Sequence, residues 1–100
     1  VKKFKIGEPI RFGVKEGGIF VTSKDDFEIY YSTLLEPTKE IKIEGEWIDD
    51  NPFYWSPIFM IFTEGKYIVH IKNSLTGLNI KETFEVINEL YEANDSDILI

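Results

Sequence analysis

The stretch Glu64-Gly-Lys-Tyr-Ile-Val-His-Ile71 carries the reading of this chain. Gly65 supplies a turn, and from Tyr67 onward the side chains alternate. Tyr67, Val69 and Ile71 take one side, and Ile68, His70 and Lys72 take the other. A period of two marks a β-strand with one buried face. That phase turns Tyr67, Val69 and Ile71 toward a core and His70 toward solvent.

The same alternation recurs on both sides of this strand. Phe4 and Ile6, then Ile10, Phe12 and Val14, then Phe27, Ile29 and Tyr31, then Ile41 and Ile43 each repeat at period two. Between them stand turn formers: Gly7-Glu-Pro9, Glu16-Gly-Gly18, Ser23 to Asp26, Glu36-Pro-Thr38, Asp49 to Pro52, Thr63-Glu-Gly65 and Asn73 to Asn79. Glycine permits positive φ, proline presets φ, and Asn or Asp closes on its own backbone. The pattern predicts strands over 3–6, 10–15, 19–22, 27–33, 39–47, 54–62, 66–72 and 80–87. About seven or eight short strands at this spacing imply an all-β, antiparallel sandwich or barrel. Residues 1–87 form the β domain, and 88–100 read as a short helical turn with a linker-like tail. One hundred residues leave room for one core.

Charge narrows the partners. Eleven basic residues face eighteen acidic ones, and the net charge of -7 repels a phosphate backbone, so nucleic acid is not an expected partner. The longest apolar run, Ile58 to Phe62, falls far short of the ~20 residues that cross a bilayer, so this segment makes no membrane contact of its own. Residues 1–15 carry Lys2, Lys3, Lys5, Arg11 and Lys15 against Glu8, whereas 82–97 carry Glu82, Glu85, Glu89, Glu92, Asp95 and Asp97 with no base. If the first and last strands lie side by side, facing opposite charges help close the sheet; two separately solvated faces are the alternative. The lack of glutamine and cysteine beside abundant Ile, Lys and Glu suits a thermophile or an AT-rich genome.

Around the opening strand, Gly65-x-Tyr67-x-Val69 resembles the tyrosine-corner strand of the immunoglobulin-like β-sandwich superfamily, with Val69 where antibody domains place a cysteine. Lys5-Ile-Gly-Glu-Pro-Ile-Arg-Phe-Gly-Val14 is similar to the first-to-second strand passage of bacterial and archaeal modules of this kind, which makes Phe12 a core residue. Ser74-Leu-Thr-Gly77 before Thr83-Phe-Glu-Val86 resembles their last hairpin. The resemblance implies an immunoglobulin-like sandwich used as a spacer or docking module of an extracytoplasmic or cell-surface protein. It transfers no catalytic residue, since fold alone assigns no chemistry. No disulfide is available, and Ile29 or Tyr31 stands where a core tryptophan is usual. The chain starts at Val1 and closes on Asp97-Ile-Leu-Ile100, which reads as a domain of a longer protein.

The candidate binding site lies in Asp49-Asp-Asn-Pro-Phe-Tyr-Trp-Ser-Pro-Ile-Phe-Met-Ile-Phe62. In a strand from Tyr54, one face takes Tyr54, Ser56, Ile58, Met60 and Phe62, and the other takes Trp55, Pro57, Phe59 and Ile61. Both faces are apolar in the second half, so either the strand is covered on both sides or another molecule covers one of them. Pro57 marks an edge portion or a bulge, because proline cannot donate to a ladder. Three readings of Phe53, Tyr54 and Trp55 stand open: a plug at the end of the core, a protein-binding surface, or a platform for a sugar ring. The binding residues assigned on this basis are Phe53, Tyr54, Trp55, Ile58, Met60 and Phe62, with Tyr67, Val69 and Phe12 as structural residues.

Other chemistry finds little support. His70 is the single histidine, and with Ser32, Ser56 or Ser74 it lacks the nucleophile-elbow context that a serine hydrolase needs. Eighteen scattered acids make some close pair inevitable and so single out no hydrolase dyad. Glu44, Glu46, Asp49, Asp50 and Asn51 lack the ligand spacing of a calcium loop. Gly17-Gly18 leads into a strand, and so offers no helix N-terminus to a phosphate. The expectation is a non-enzymatic module without cofactor or metal that binds a protein or self-associates, or else serves as a carbohydrate-binding appendage.

Overall fold

A computed structural model of the chain describes residues 2–15, 23–50 and 52–88. The expected strand at 19–22 and the expected helical turn and tail beyond residue 88 lie outside the described residues. Eight strands are present among those described: β1 (Lys2–Lys5), β2 (Gly13–Lys15), β3 (Phe27–Thr33), β4 (Ile41–Lys42), β5 (Ile48–Asp50), β6 (Phe53–Trp55), β7 (Gly65–Asn73) and β8 (Asn79–Ile87). A 3-10 turn, Lys24–Asp26, enters β3 under a capping box, in which the Ser23 hydroxyl accepts from Asp25 N–H and the Asp26 carboxylate accepts from Ser23 N–H.

The strands form a five-stranded sheet in the order β1-β8-β7-β3-β4 and a three-stranded sheet in the order β2-β6-β5. The β7–β8 hairpin anchors the larger sheet. Its turn closes on Asn73, whose side-chain oxygen accepts from the N–H groups of Leu75 and Thr76 while its carbonyl accepts from Gly77. One expectation needs correction, because the structure is not antiparallel throughout: β1 runs parallel to β8. After β1 the chain turns where Glu8 N–H bonds the Lys5 carbonyl, then crosses to the other layer, where Gly7 N–H bonds the Ile61 carbonyl. Thus β1 completes one sheet and its continuation completes the other. The first and last strands do lie side by side, but Lys3 and Glu85 are the only oppositely charged residues in facing register.

The continuous strand expected over 39–47 is also divided. Only Ile41–Lys42 and Ile48–Asp50 pair as strands, in different sheets, and residues 43–47 carry the chain between the layers. Gly45 makes the crossing possible: its φ of 134° suits a residue without a Cβ, and a Cβ there would lie 2.8 Å from the Pro57 ring.

Both layers contribute to one core. Phe84 of β8 is fully buried, with ring centroids of Phe4, Phe12 and Tyr67 at 5.9, 5.4 and 5.5 Å. Across the layers, Phe27 of β3 meets Tyr54 of β6 at 4.7 Å, and Tyr31 stacks on Phe59 at 5.8 Å. Tyr67, Val69 and Phe12 are all buried, as the alternation implies. The Tyr67 hydroxyl donates to the Thr63 carbonyl at 2.6 Å, tying down the turn that leads into β7. Burial pushes its phenol pKa above the ordinary 10.0. Tyr67→Phe keeps the ring and deletes this bond, so the urea midpoint should fall with an unchanged slope, corresponding to a loss of about 1 kcal/mol.

Candidate functional site

The segment that follows β6 changes its inward phase at Pro57. Up to Trp55 the ladder with β2 is regular, with Gly13 facing Trp55 and Val14 facing Tyr54. Ser56 N–H then bonds the Phe12 carbonyl, and Ile10 and Phe59 exchange both backbone bonds at 2.8 and 3.0 Å. Between these two fixed pairs, Pro57 and Ile58 oppose Arg11 alone, two residues against one, which is a β-bulge. Proline has no N–H to give the ladder, and the Ser56 hydroxyl repairs the gap. It accepts from Phe12 N–H at 3.0 Å and donates to the Pro57 carbonyl at 2.9 Å, fully buried. On the other strand, the Nε of Arg11 is buried without a hydrogen-bond partner, and no acceptor for it is present among the described residues.

The extra residue decides which side chains face out. Before it, Tyr54 and Ser56 point inward; after it, Phe59 and Ile61 do. Ile58, Met60 and Phe62 are left outward, 53%, 50% and 69% exposed. Five of the six proposed binding residues, Phe53, Trp55, Ile58, Met60 and Phe62, are therefore exposed or half-exposed. Tyr54 is not among them. It is buried against Phe27, because strict alternation from Tyr54 to Phe62 breaks at the bulge. The Trp55 ring lies flat on the backbone of Gly13, where a Cβ would approach it to 2.5 Å, and it stacks on Phe53 with centroids 6.1 Å apart. Ile48 of β5, which faces Trp55 in the β5–β6 pairing, joins this surface. In the sequence Ile48 stands beside the acidic pair Asp49-Asp50, outside any alternating run that would mark it as an apolar surface residue.

His70 requires a second correction. It lies on the outer side of the five-stranded sheet, as its phase demands, yet only 4% of it is exposed. Its Nδ1 donates to Glu40 Oε2 at 2.5 Å, and its Nε2 lies 2.5 Å from Asn79 Oδ1. Alternation names the side of the sheet a residue takes, but not what folds over it; here the chain before β4 brings Glu40 over β3 to His70 from a sequence distance of thirty residues. Both ring nitrogens are thus engaged away from the serines. Ser56 serves the bulge, and the Ser74 hydroxyl bonds the Asp26 carbonyl. Tyr30 stands beside His70, with centroids 6.2 Å apart, and its hydroxyl donates to Glu28 Oε2 at 3.0 Å. That bond, followed by partial burial and the nearby Glu28, Glu40 and Glu44 charges, raises the Tyr30 pKa above 10.0. Glu44, Glu46, Asp49 and Asp50 are exposed, and no group of three potential metal ligands occurs among the described residues; Asn51 lies outside them.

No protein-family model and no curated protein matches this chain.

Replacing Ser56 by alanine removes both hydroxyl bonds and strands Phe12 N–H in the core, so stability should fall by about 1–3 kcal/mol in chemical denaturation. An alkaline absorbance titration should find Tyr30 and Tyr67 ionising above 10.0, with Glu28→Ala returning one of them toward that value. Because both folded-state values are raised, their contribution to stability is intact below 10.0 and is lost as the pH climbs through the folded-state values.

Proposed function

We propose that the chain is a non-catalytic, immunoglobulin-like module of a larger extracytoplasmic or cell-surface protein, and that it docks a protein partner on the outer face of the β2-β6-β5 sheet. The family reading is supported by a five-stranded and a three-stranded sheet around one core and by the Tyr67 hydroxyl pinning the turn before β7. The docking reading is carried by the outward row Ile58, Met60 and Phe62. A strand whose inward positions already fill the core gains nothing in folding from three large apolar side chains in water. Contiguous exposed apolar surface of this kind is the usual mark of a contact site. Phe53 and Trp55 extend the face and bring aromatic area that loses little side-chain entropy on contact.

The stacked Phe53–Trp55 pair supports a second reading, in which the same face receives a sugar ring. The two differ in where they place the determinant. Protein docking depends on the 58–62 row, whereas a sugar platform depends on the Phe53–Trp55 pair.

Met60→Glu should abolish capture of a partner from native extract while leaving the far-ultraviolet spectrum unchanged. Leu75→Glu, at an equally exposed residue in the β7–β8 turn, should leave capture intact. Equal capture by both variants would remove the docking surface, and a Trp55 fluorescence change on titration with polysaccharides would replace it with the sugar platform.

A further inference from the structure

The row Ile58-Phe-Met-Ile-Phe62 presents backbone as well as side chains. In an extended antiparallel pairing, alternate residues direct their N–H and C=O groups to opposite sides. Phe59 and Ile61 bond the neighbouring chain: Phe59 exchanges both bonds with Ile10, and the Ile61 carbonyl accepts from Gly7 at 2.9 Å. Ile58, Met60 and Phe62 direct theirs the other way, and none of these backbone groups has a hydrogen-bond partner among the described residues. The strand that fills this side farther up does not reach them. β5 pairs β6 only over Ile48–Asp50, and the chain before it turns inward at Trp47 and passes Pro57 at Gly45. The result is an open backbone edge over Ile58 to Phe62, on a segment held on its other side by the Ile10–Phe59 bridge and the Gly7–Ile61 bond.

Sheet edges are normally blunted with charge, proline or a covering loop. The edge at β1 is treated that way, with Lys2, Lys3 and Lys5 exposed and the Lys5 N–H taken by the Glu8 carboxylate. The 58–62 edge carries no lysine, and its only proline, Pro57, stands before the open stretch.

Charge indicates what would occupy it. Between Ile43 and Gly65 there is no lysine or arginine, and the stretch contains Glu44, Glu46, Asp49, Asp50 and Glu64. All five are exposed, and none has an ion-pair partner among the described residues. The bases just before the stretch are already engaged, Lys39 with Glu36 and Lys42 with Glu28. A second copy offering the same edge would set these carboxylates against their own kind.

We propose that this edge binds an extended segment of a partner polypeptide by strand addition, with main-chain bonds to Ile58, Met60 and Phe62, and that the segment alternates apolar residues with lysine or arginine. The inference rests on the docking reading above and names the chemistry of the partner. Main-chain pairing supplies affinity that does not depend on side-chain identity, while the apolar row and the carboxylate flanks select the segment.

The test uses the peptide Lys-Val-Lys-Val-Lys-Val-Lys, its Glu-Val counterpart, and the lysine peptide N-methylated at alternate valines, followed by fluorescence anisotropy and by amide hydrogen exchange. The lysine peptide should bind and slow exchange at the amides of Ile58, Met60 and Phe62. N-methylation should weaken binding about tenfold through lost main-chain bonds. The glutamate peptide should not bind, and about 1 M salt, where the screening length is about 3 Å, should release the lysine peptide. Equal affinity for the methylated and parent peptides, or binding without protection at those three amides, overturns strand addition. If that happens while Met60→Glu still abolishes partner capture, the docking surface stands and only the mode fails. Failure of both removes the surface itself.

Discussion

A two-against-one mismatch, Pro57 and Ile58 facing Arg11, governs how this molecule presents itself. Proline withholds a ladder hydrogen bond, the buried Ser56 hydroxyl supplies a substitute, and the chain gains one residue relative to its neighbour. Without that residue the inward phase set by Tyr54 and Ser56 would continue through Ile58, Met60 and Phe62, and Phe59 and Ile61 would be turned out. With it, Phe59 reaches Phe12 and Tyr31 in the core, and the apolar residues left over line the surface. Core packing and surface chemistry of this segment are two consequences of the same irregularity.

The two layers are held together mainly by aromatic contacts. Phe84 collects three rings from β1, β7 and the chain before β2, while Phe27 and Tyr31 reach across to Tyr54 and Phe59. Large rings suit a core of this size, because each buries much area for few frozen torsions. The polar atoms drawn in with them are satisfied locally, Tyr67 at Thr63 and Ser56 at the bulge, which keeps the cost of their burial low. The outer side of the larger sheet follows a different rule. There His70, Glu40 and Asn79 form a polar cluster shielded by charged and aromatic neighbours, with Lys72 over the Tyr30 ring at 5.0 Å.

Much of this was legible in the residues. Alternation locates β3 and β7 to within a residue or two and gives the buried side of each, because a pleated strand repeats at two whatever surrounds it, and it places β8 to within a residue. Tyr67, Val69 and Phe12 fell into the core for that reason, and Pro57 announced its bulge through the bond it cannot make. Alternation failed where a second body intervened. His70 was assigned to the correct side of its sheet and yet is covered. Straight alternation groups Tyr54 with Ile58, Met60 and Phe62, and the bulge separates them. The 39–47 run read as one strand because Gly45, where the chain changes layer, is a conformational permission rather than a pattern.

The sequence by itself therefore determined an all-β chain, the inward faces of β3 and β7, and the presence of an unusually apolar segment at 53–62, since these follow from local periodicity and composition. Tertiary structure alone decided the parallel pairing of β1 with β8, the enclosure of His70 by Glu40 and Asn79, and the selection of Ile58, Met60 and Phe62 as the residues left in water at an open edge. Each of those depends on which distant segment arrives as a neighbour, and contacts between residues far apart in the chain leave no periodic trace in the order of its amino acids.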